Sequence, residues 1–203
     1  MERDEFLTIE GTSEGIYKEK GSKFLAFAFA VETEEEAKNR VDELKNRYHD
    51  ARHHCYAYMI GVEMDVYRMN DDGEPSSTAG KPILGQIRSH NLTNILVVVV
   101  RYFGGTLLGT SGLIRAYKSA TADALKNAKI IKQTIRVFYK LNFEYQLMSQ
   151  VEKLLHEWEI RPDEKSFGAN CMYRIGIRKT QEQKMVEQLK QISGLEFNKT
   201  GDP

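Results

Sequence analysis

The chain has 203 residues, with 29 lysines and arginines against 29 aspartates and glutamates, and a 41% apolar share that is too high for a disordered protein. That length suits one large domain or two small ones. With no apolar run longer than the eight residues Phe24–Val31, a polar start over residues 1–5 and only two cysteines, a bilayer-spanning segment and a disulfide framework are excluded, and a cytoplasmic protein without a signal peptide is expected.

In chain order, residues 16–31, with Phe24, Phe27, Phe29 and Val31, read as paired strands turning at Lys20-Gly21-Ser22. Thr33-Glu34-Glu35-Glu36 is a capping box that opens a helix with Ala37, Val41, Leu44 and Tyr48 on one face. Residues 52–60 are β-rich, and 65–69 predict a return strand. Asp71 to Gly80 is a polar loop, because this composition punctuates rather than packs. A short helix over 81–90 tolerates Pro82 in its first turn. Asn94–Phe103 holds the apolar run Ile95–Val100 and predicts a central strand covered on both faces. After a glycine-rich turn, a helix from about Ser111 to Lys129 buries Leu113, Tyr117, Ala120, Ala124 and Ala128, with Thr110 or Ser111 as its N-cap.

A second unit begins near Gln133, giving expected domains of 1–132 and 133–203. Ile135–Phe143 alternates as a strand, and 145–157 is a helix burying Leu147, Met148, Val151 and Leu155. Residues 158–166 and Cys171–Arg178 read as strands around Gly168. Thr180-Gln181-Glu182-Gln183 is a second capping box, opening a helix with Met185, Val186, Leu189 and Ile192 inward. Gly194 ends it, and Leu195–Asn198 is a last strand. The order β-α-β-β-α-β is the ferredoxin-like pattern, so the fold class is α+β.

The stretch Arg101-Tyr102-Phe103-Gly104-Gly105-Thr106-Leu107-Leu108-Gly109-Thr110-Ser111-Gly112 is the most informative. A strand ends, the backbone passes through glycines and a helix begins, an arrangement that can present bare amides and a helix N-terminus to an anion. Gly104-x4-Gly109 has the spacing of a phosphate-binding loop, but Thr110 stands where that motif needs Lys. The same glycines also serve a tight turn with close packing, and both readings stay open. The loop from Asp71 to Lys81 gathers Asp71, Asp72, Glu74 and Ser76, groups that could act as acid and base or face a cation, or simply form a solvated turn. His49, His53, His54 and Cys55 lack a Cys-x2-Cys partner for zinc. No metal site or cofactor is expected, and no complete catalytic motif is present.

Charge is segregated although its sum is zero. Residues 32–74 carry twelve acids against six bases, and residues 75–132 carry eight bases against the single acid Asp123. The two segments either neutralise one another on folding or leave a basic face for a polyanion.

Gly80-Lys81-Pro82-Ile83-Leu84, followed by Val97-Val98-Val99-Val100-Arg101-Tyr102-Phe103-Gly104-Gly105 and Gly109, resembles the signature of the IMPACT family, in particular its bacterial YigZ-like members. Ser22-Lys23-Phe24, His53-x-Cys55-x-Ala57 and Asp71-Asp72-Gly73-Glu74-Pro75-Ser76 match as well, while Ser77 stands where the family usually has glycine. The resemblance implies a β-rich N-terminal domain with helices on one side, similar to a ribosomal-protein domain. It also implies a C-terminal domain similar to the last domain of elongation factor G. Eukaryotic relatives act in translational control through an additional N-terminal domain that has no counterpart in this sequence.

Together these readings lead to an expected non-catalytic RNA- or ribosome-associated protein linked to translation, with no membrane partner. Lys81, Arg101, Arg115 and Lys118 are the expected phosphate contacts, and Tyr102 or Phe103 the stacking residues. Gly104, Gly105, Gly109 and Ser111 would present main-chain donors. Two alternatives remain: a hydrolase or other enzyme acting on a phosphorylated or peptide substrate between the 71–81 loop and the 101–112 turn, and an adaptor whose C-terminal sheet docks a protein. The sequence gives no oligomeric state.

Overall fold

The apolar run Ile95–Val100 belongs to the first of two compact units, Phe6–Gln133; the second runs from Thr134 onward and takes in Asp4 and Glu5. The structure is a computed structural model describing residues 4–201. Met1, Glu2 and Arg3 of the polar start lie outside the described residues. In chain order the elements up to Thr134 are β1 (Glu5–Ile9), β2 (Thr12–Glu19), β3 (Ser22–Ala30), α1 (Glu34–Arg47), β4 (His53–Ile60), β5 (Val66–Asn70), α2 (Gly80–Ser89), β6 (Ile95–Tyr102), α3 (Gly109–Asn127) and β7 (Ile130–Thr134).

Five strands form one sheet in the order β2-β3-β6-β4-β5, every neighbouring pair antiparallel. β6 is central, as its unbroken apolar run predicts. Its side chains alternate between two cores. Ile95, Val97 and Val99 pack with Ile83, Leu84 and Ile87 of α2 and with Leu113, Tyr117 and Ala120 of α3. Leu96, Val98 and Val100 pack instead with Ala37, Val41 and Leu44 of α1. This corrects the expectation of helices on one side. A central strand apolar on both faces leaves Leu96, Val98 and Val100 in water unless something covers them, and α1 does so. β1 and β7 form a separate two-stranded sheet that the sequence reading missed.

Local chemistry explains most helix ends. At α1 the Glu36 amide donates to Thr33 Oγ1 (3.1 Å) and the Glu36 carboxylate accepts from the Glu32 amide (2.7 Å), a capping box whose return arm reaches one residue further back than usual. At α3 the expectation is corrected. The helix starts at Gly109 with Leu108 as N-cap, and no side chain caps it. Thr110 and Ser111 fall inside the first turn because Gly109 takes φ +70°, a bend that a β-branched or bulky residue resists.

The second unit comprises β8 (Arg136–Phe143), a 3-10 turn at Tyr145–Leu147, α4 (Met148–Glu157), β9 (Glu164–Phe167), β10 (Cys171–Arg178), a 3-10 turn at Lys179–Gln181, α5 (Glu182–Leu189) and β11 (Glu196–Thr200). The sheet order β11-β8-β10-β9, all antiparallel, is that of a ferredoxin-like domain. Two details are corrected. The strand expected over 158–166 is only Glu164–Phe167, because Trp158 closes α4 with its amide on Leu154 O (3.2 Å). Thr180 caps nothing, since α5 begins after a 3-10 turn and has no side-chain cap.

Candidate nucleic-acid interface

The 71–80 loop is a built structure rather than a solvated turn. Asp71 Oδ1 accepts from the amides of Ala79 (3.0 Å) and Gly80 (2.8 Å), and its Oδ2 from the amide of Ser77 (2.8 Å). A carboxylate nine residues upstream thereby caps α2, whose own N-cap, Ala79, has no side chain suited to the task. Asp72 Oδ2 accepts from the His54 amide at 2.6 Å, and the Asp72 carbonyl lies 2.8 Å from His53 Nδ1. Ser76 is exposed.

Glu74 turns inward. Its Oε1 accepts from Arg101 Nη1 at 2.6 Å and from the Tyr117 hydroxyl at 2.8 Å, and both charged side chains are at most 6% exposed. The Cys55 Sγ lies within hydrogen-bond reach of the Tyr117 oxygen (3.3 Å) and the Asp71 carbonyl (3.0 Å), either of which can accept its one thiol proton. The Arg101 guanidinium lies over the rings of Phe24 (5.5 Å) and Phe103 (5.7 Å). The 71–81 loop and the end of β6 thus meet, but through a buried ion pair. Arg101 is corrected from a surface phosphate contact to an internal cation, because a charge removed from water needs a partner and Glu74 supplies it. Tyr117 was read only as a core residue, and Cys55 was weighed with the histidines around it rather than with Tyr117. A tyrosine on the buried face of α3 is the signal that could have exposed the cluster, since a buried phenol needs a hydrogen-bond partner.

The glycine-rich turn divides in the same way. The Gly104 amide donates to Ser22 Oγ at 3.1 Å, and a Cβ on Gly104 would lie 1.9 Å from the carbonyl carbon of Gly21. Gly104 therefore serves backbone-to-backbone packing and is corrected as an open anion donor. Gly105 (φ +84°) and Gly109 (φ +70°) have nothing within 4 Å of where a Cβ would stand. Tyr102 faces the opposite side of the sheet from Arg101, and its hydroxyl donates to Asp50 Oδ1 at 2.7 Å, pushing its pKa up to about 12. Alternation along β6 places it on the other side of the sheet from Phe103.

Phe103 and Leu107 are 51% and 83% exposed. Ser111, Arg115 and Lys118, spaced four and three apart, share one exposed face of α3. Arg115 pairs with Glu19, an exposed ion pair of small energetic weight. Lys81, in the first turn of α2, and Lys118 are exposed and make no ion pair among the described residues.

Burial holds the Cys55 thiol and the Tyr117 phenol protonated, with their pKa values pushed up. Cys55 therefore lacks the thiolate that a nucleophile needs. Among the described residues, no three His, Cys, Asp or Glu side chains converge as metal ligands. Burial lowers the pKa of His54 below its ordinary 6.5 although Asp72 opposes the shift. The unfolded chain then takes up this proton more readily than the folded one. Stability from this site is full above pH 6.5 and declines as pH falls below it, by at most about 1.4 kcal/mol per pH unit. Urea unfolding at pH 7.5 and 5.5 should show a loss that His54→Gln removes; an equal loss in both proteins would contradict the assignment.

The family of the Impact N-terminal domain matches residues 20–125, which hold this cluster, the turn and most of α3. An IMPACT family member from Haemophilus influenzae is 36% identical over 160 residues, covering 78% of each chain. The chain belongs to the IMPACT family. Its relative YigZ from Escherichia coli is 35% identical over 160 residues, again 78% of each chain. A crystal structure described as a hypothetical protein is 29% identical and covers 99% of this chain and all of its own, with a TM-score of 0.73. IMPACT family likeness thus extends past the N-terminal domain into the second unit.

Proposed function

We propose that the chain is a non-catalytic RNA-associated protein acting in translation, and that the rim formed by Phe103, Gly105, Gly109 and the exposed face of α3 meets the RNA. The observation that carries this reading is the start of α3. Its first-turn amides have no side-chain cap, exposed Phe103 precedes them, and Ser111, Arg115 and Lys118 continue the same helix. Amides at a helix start suit phosphate, cations along the helix add sequence-independent attraction, and an exposed ring suits a base. Lys81 on α2, which packs against α3, belongs to the same proposal. Translation is the setting that the family resemblance implies.

Support for a non-catalytic role comes from the acids themselves. Asp71, Asp72 and Glu74 each hold a backbone amide or a buried cation, so the groups an enzyme would use as acid and base are committed to the fold. Charge reversal at Lys81 and Lys118 tests the reading. In filter binding with a labelled single-stranded RNA, the double variant should lose about 1.4 from the slope of log K against log salt, at roughly 0.7 per contact. Unchanged affinity and slope would contradict it.

A further inference from the structure

From the second unit we infer a separate contact for single-stranded RNA, on the face of the ferredoxin-like sheet that α4 and α5 leave open. On β8 and β10 the residues Tyr139, Leu141, Phe143, Tyr173, Ile175 and Ile177 point into the core with Val151, Leu155, Met185 and Leu189 of the helices. The alternating residues point the other way. The register places Lys140 opposite Arg174, Phe138 opposite Gly176, and Arg136 opposite Arg178. Two like-charged pairs therefore sit directly across the central strands, on either side of a phenylalanine.

Like charges in cross-strand positions oppose folding, so this arrangement is poor for stability and well suited to an anion. Some of the charge is balanced: Arg174 lies 3.8 Å from Glu164, and Arg178 lies 3.5 Å from Asp4 and 3.9 Å from Glu5. Glu196, opposite Asn142 on β11, is the other acid of this face. Arg136 and Lys140 make no ion pair among the described residues.

The middle of the face carries planar side chains. A Cβ on Gly176 would stand 3.0 Å from the Phe138 ring and 3.1 Å from Arg136 Cδ, so ring and stem lie against bare backbone. The Arg174 guanidinium lies 4.7 Å from the Phe138 ring centroid. An aromatic ring and a guanidinium plane on the central strands of an open sheet, flanked by cations, can stack unpaired bases while the cations hold phosphates. Beside them, between the 158–163 segment and the Gly176–Arg178 end of β10, a groove of about 560 Å³ adds Arg161 to Arg136 and Arg178, three cations against the two acids Glu159 and Asp163 of the same lining. Charge and stacking together select single-stranded RNA over an acidic protein surface, which would use the cations but leave Phe138 idle.

This inference rests on the RNA association proposed above, and its test separates the two. The full chain is titrated with a labelled uridine-rich single-stranded RNA in five forms: wild type, Lys81→Glu/Lys118→Glu, Arg136→Glu/Lys140→Glu, Phe138→Ala and Phe138→Tyr. Arg136→Glu/Lys140→Glu should lower the salt slope by about 1.4. Phe138→Ala should weaken binding roughly tenfold and Phe138→Tyr restore it. Charge reversal relieves the cross-strand repulsion, so the melting temperature should hold or rise and weaker binding would not reflect unfolding. Wild-type binding that only the Lys81/Lys118 variant weakens would overturn this inference and leave the earlier reading standing. Absence of wild-type binding would overturn both, and loss of a protein partner with RNA affinity intact would overturn the choice of RNA.

Discussion

Glu74→Ala is expected to destabilise the first unit by about 3–5 kcal/mol, the range for removing one partner of a buried ion pair. The effect is large because one oxygen, Oε1, accepts from both Arg101 and Tyr117. Arg101 is already short of acceptors, since its Nε is buried without a hydrogen-bond partner. Without Glu74 the guanidinium would lie between Phe24 and Phe103 with no carboxylate to meet it. Replacing both charges, as in Glu74→Leu/Arg101→Met, should recover most of the loss, because two apolar side chains need no counter-ion. Calorimetry reads the stability. Thiol labelling localises the change: Cys55 in the first unit should become reactive while buried Cys171 in the second does not. A Glu74→Ala protein with unchanged melting and Cys55 protection would show that the pair holds nothing in place.

Gly104→Ala should be the most damaging of the glycine substitutions in the turn, at about 3 kcal/mol, the upper end for overpacking. A methyl there would stand 1.9 Å from Gly21 C and 2.1 Å from Ser22 N, so the β2–β3 hairpin and the end of β6 would have to separate. These neighbours are backbone and have no rotamer to change. Gly105→Ala meets only the cost of its positive φ, about 1 kcal/mol, because nothing lies within 4 Å. Thermal melting of the two variants measures the difference. Equal losses would mean that conformation rather than close approach fixes Gly104.

Much of this fold was legible because periodicity and burial share one physical cause. The run Ile95–Val100 announced a strand covered on both faces, and α1 on one side with α2 and α3 on the other satisfies it. The expectation of helices on one side came from the family resemblance, and the residues themselves contradicted it. The ferredoxin-like order was also readable, since β10, and β8 from Phe138 onward, alternate between buried and more accessible positions. The missed elements, β1 and β7, are short strands whose pairing partner lies more than a hundred residues away, so no local pattern announces them. The candidate site was harder for the same reason. That Asp71 caps α2, Glu74 neutralises Arg101 and Gly104 abuts Gly21 depends on tertiary neighbours. From sequence alone an arginine beside glycines looks like a phosphate contact, and only the approach of Glu74 shows it to be internal. Lys81, Arg115 and Lys118 were legible as exposed because they fall outside the apolar faces of their helices.

RNA association is the claim on which the functional account turns, and the salt dependence of binding tests it most directly. Wild-type protein titrated with single-stranded RNA across a salt series should give a straight line of log K against log salt, with a slope near −3 to −4 at roughly 0.7 per phosphate contact. A variant reversing Lys81, Lys118, Arg136 and Lys140 together should flatten that line by about 2.8 on the same scale. No measurable affinity at low salt, or an affinity that salt does not change, would contradict the account.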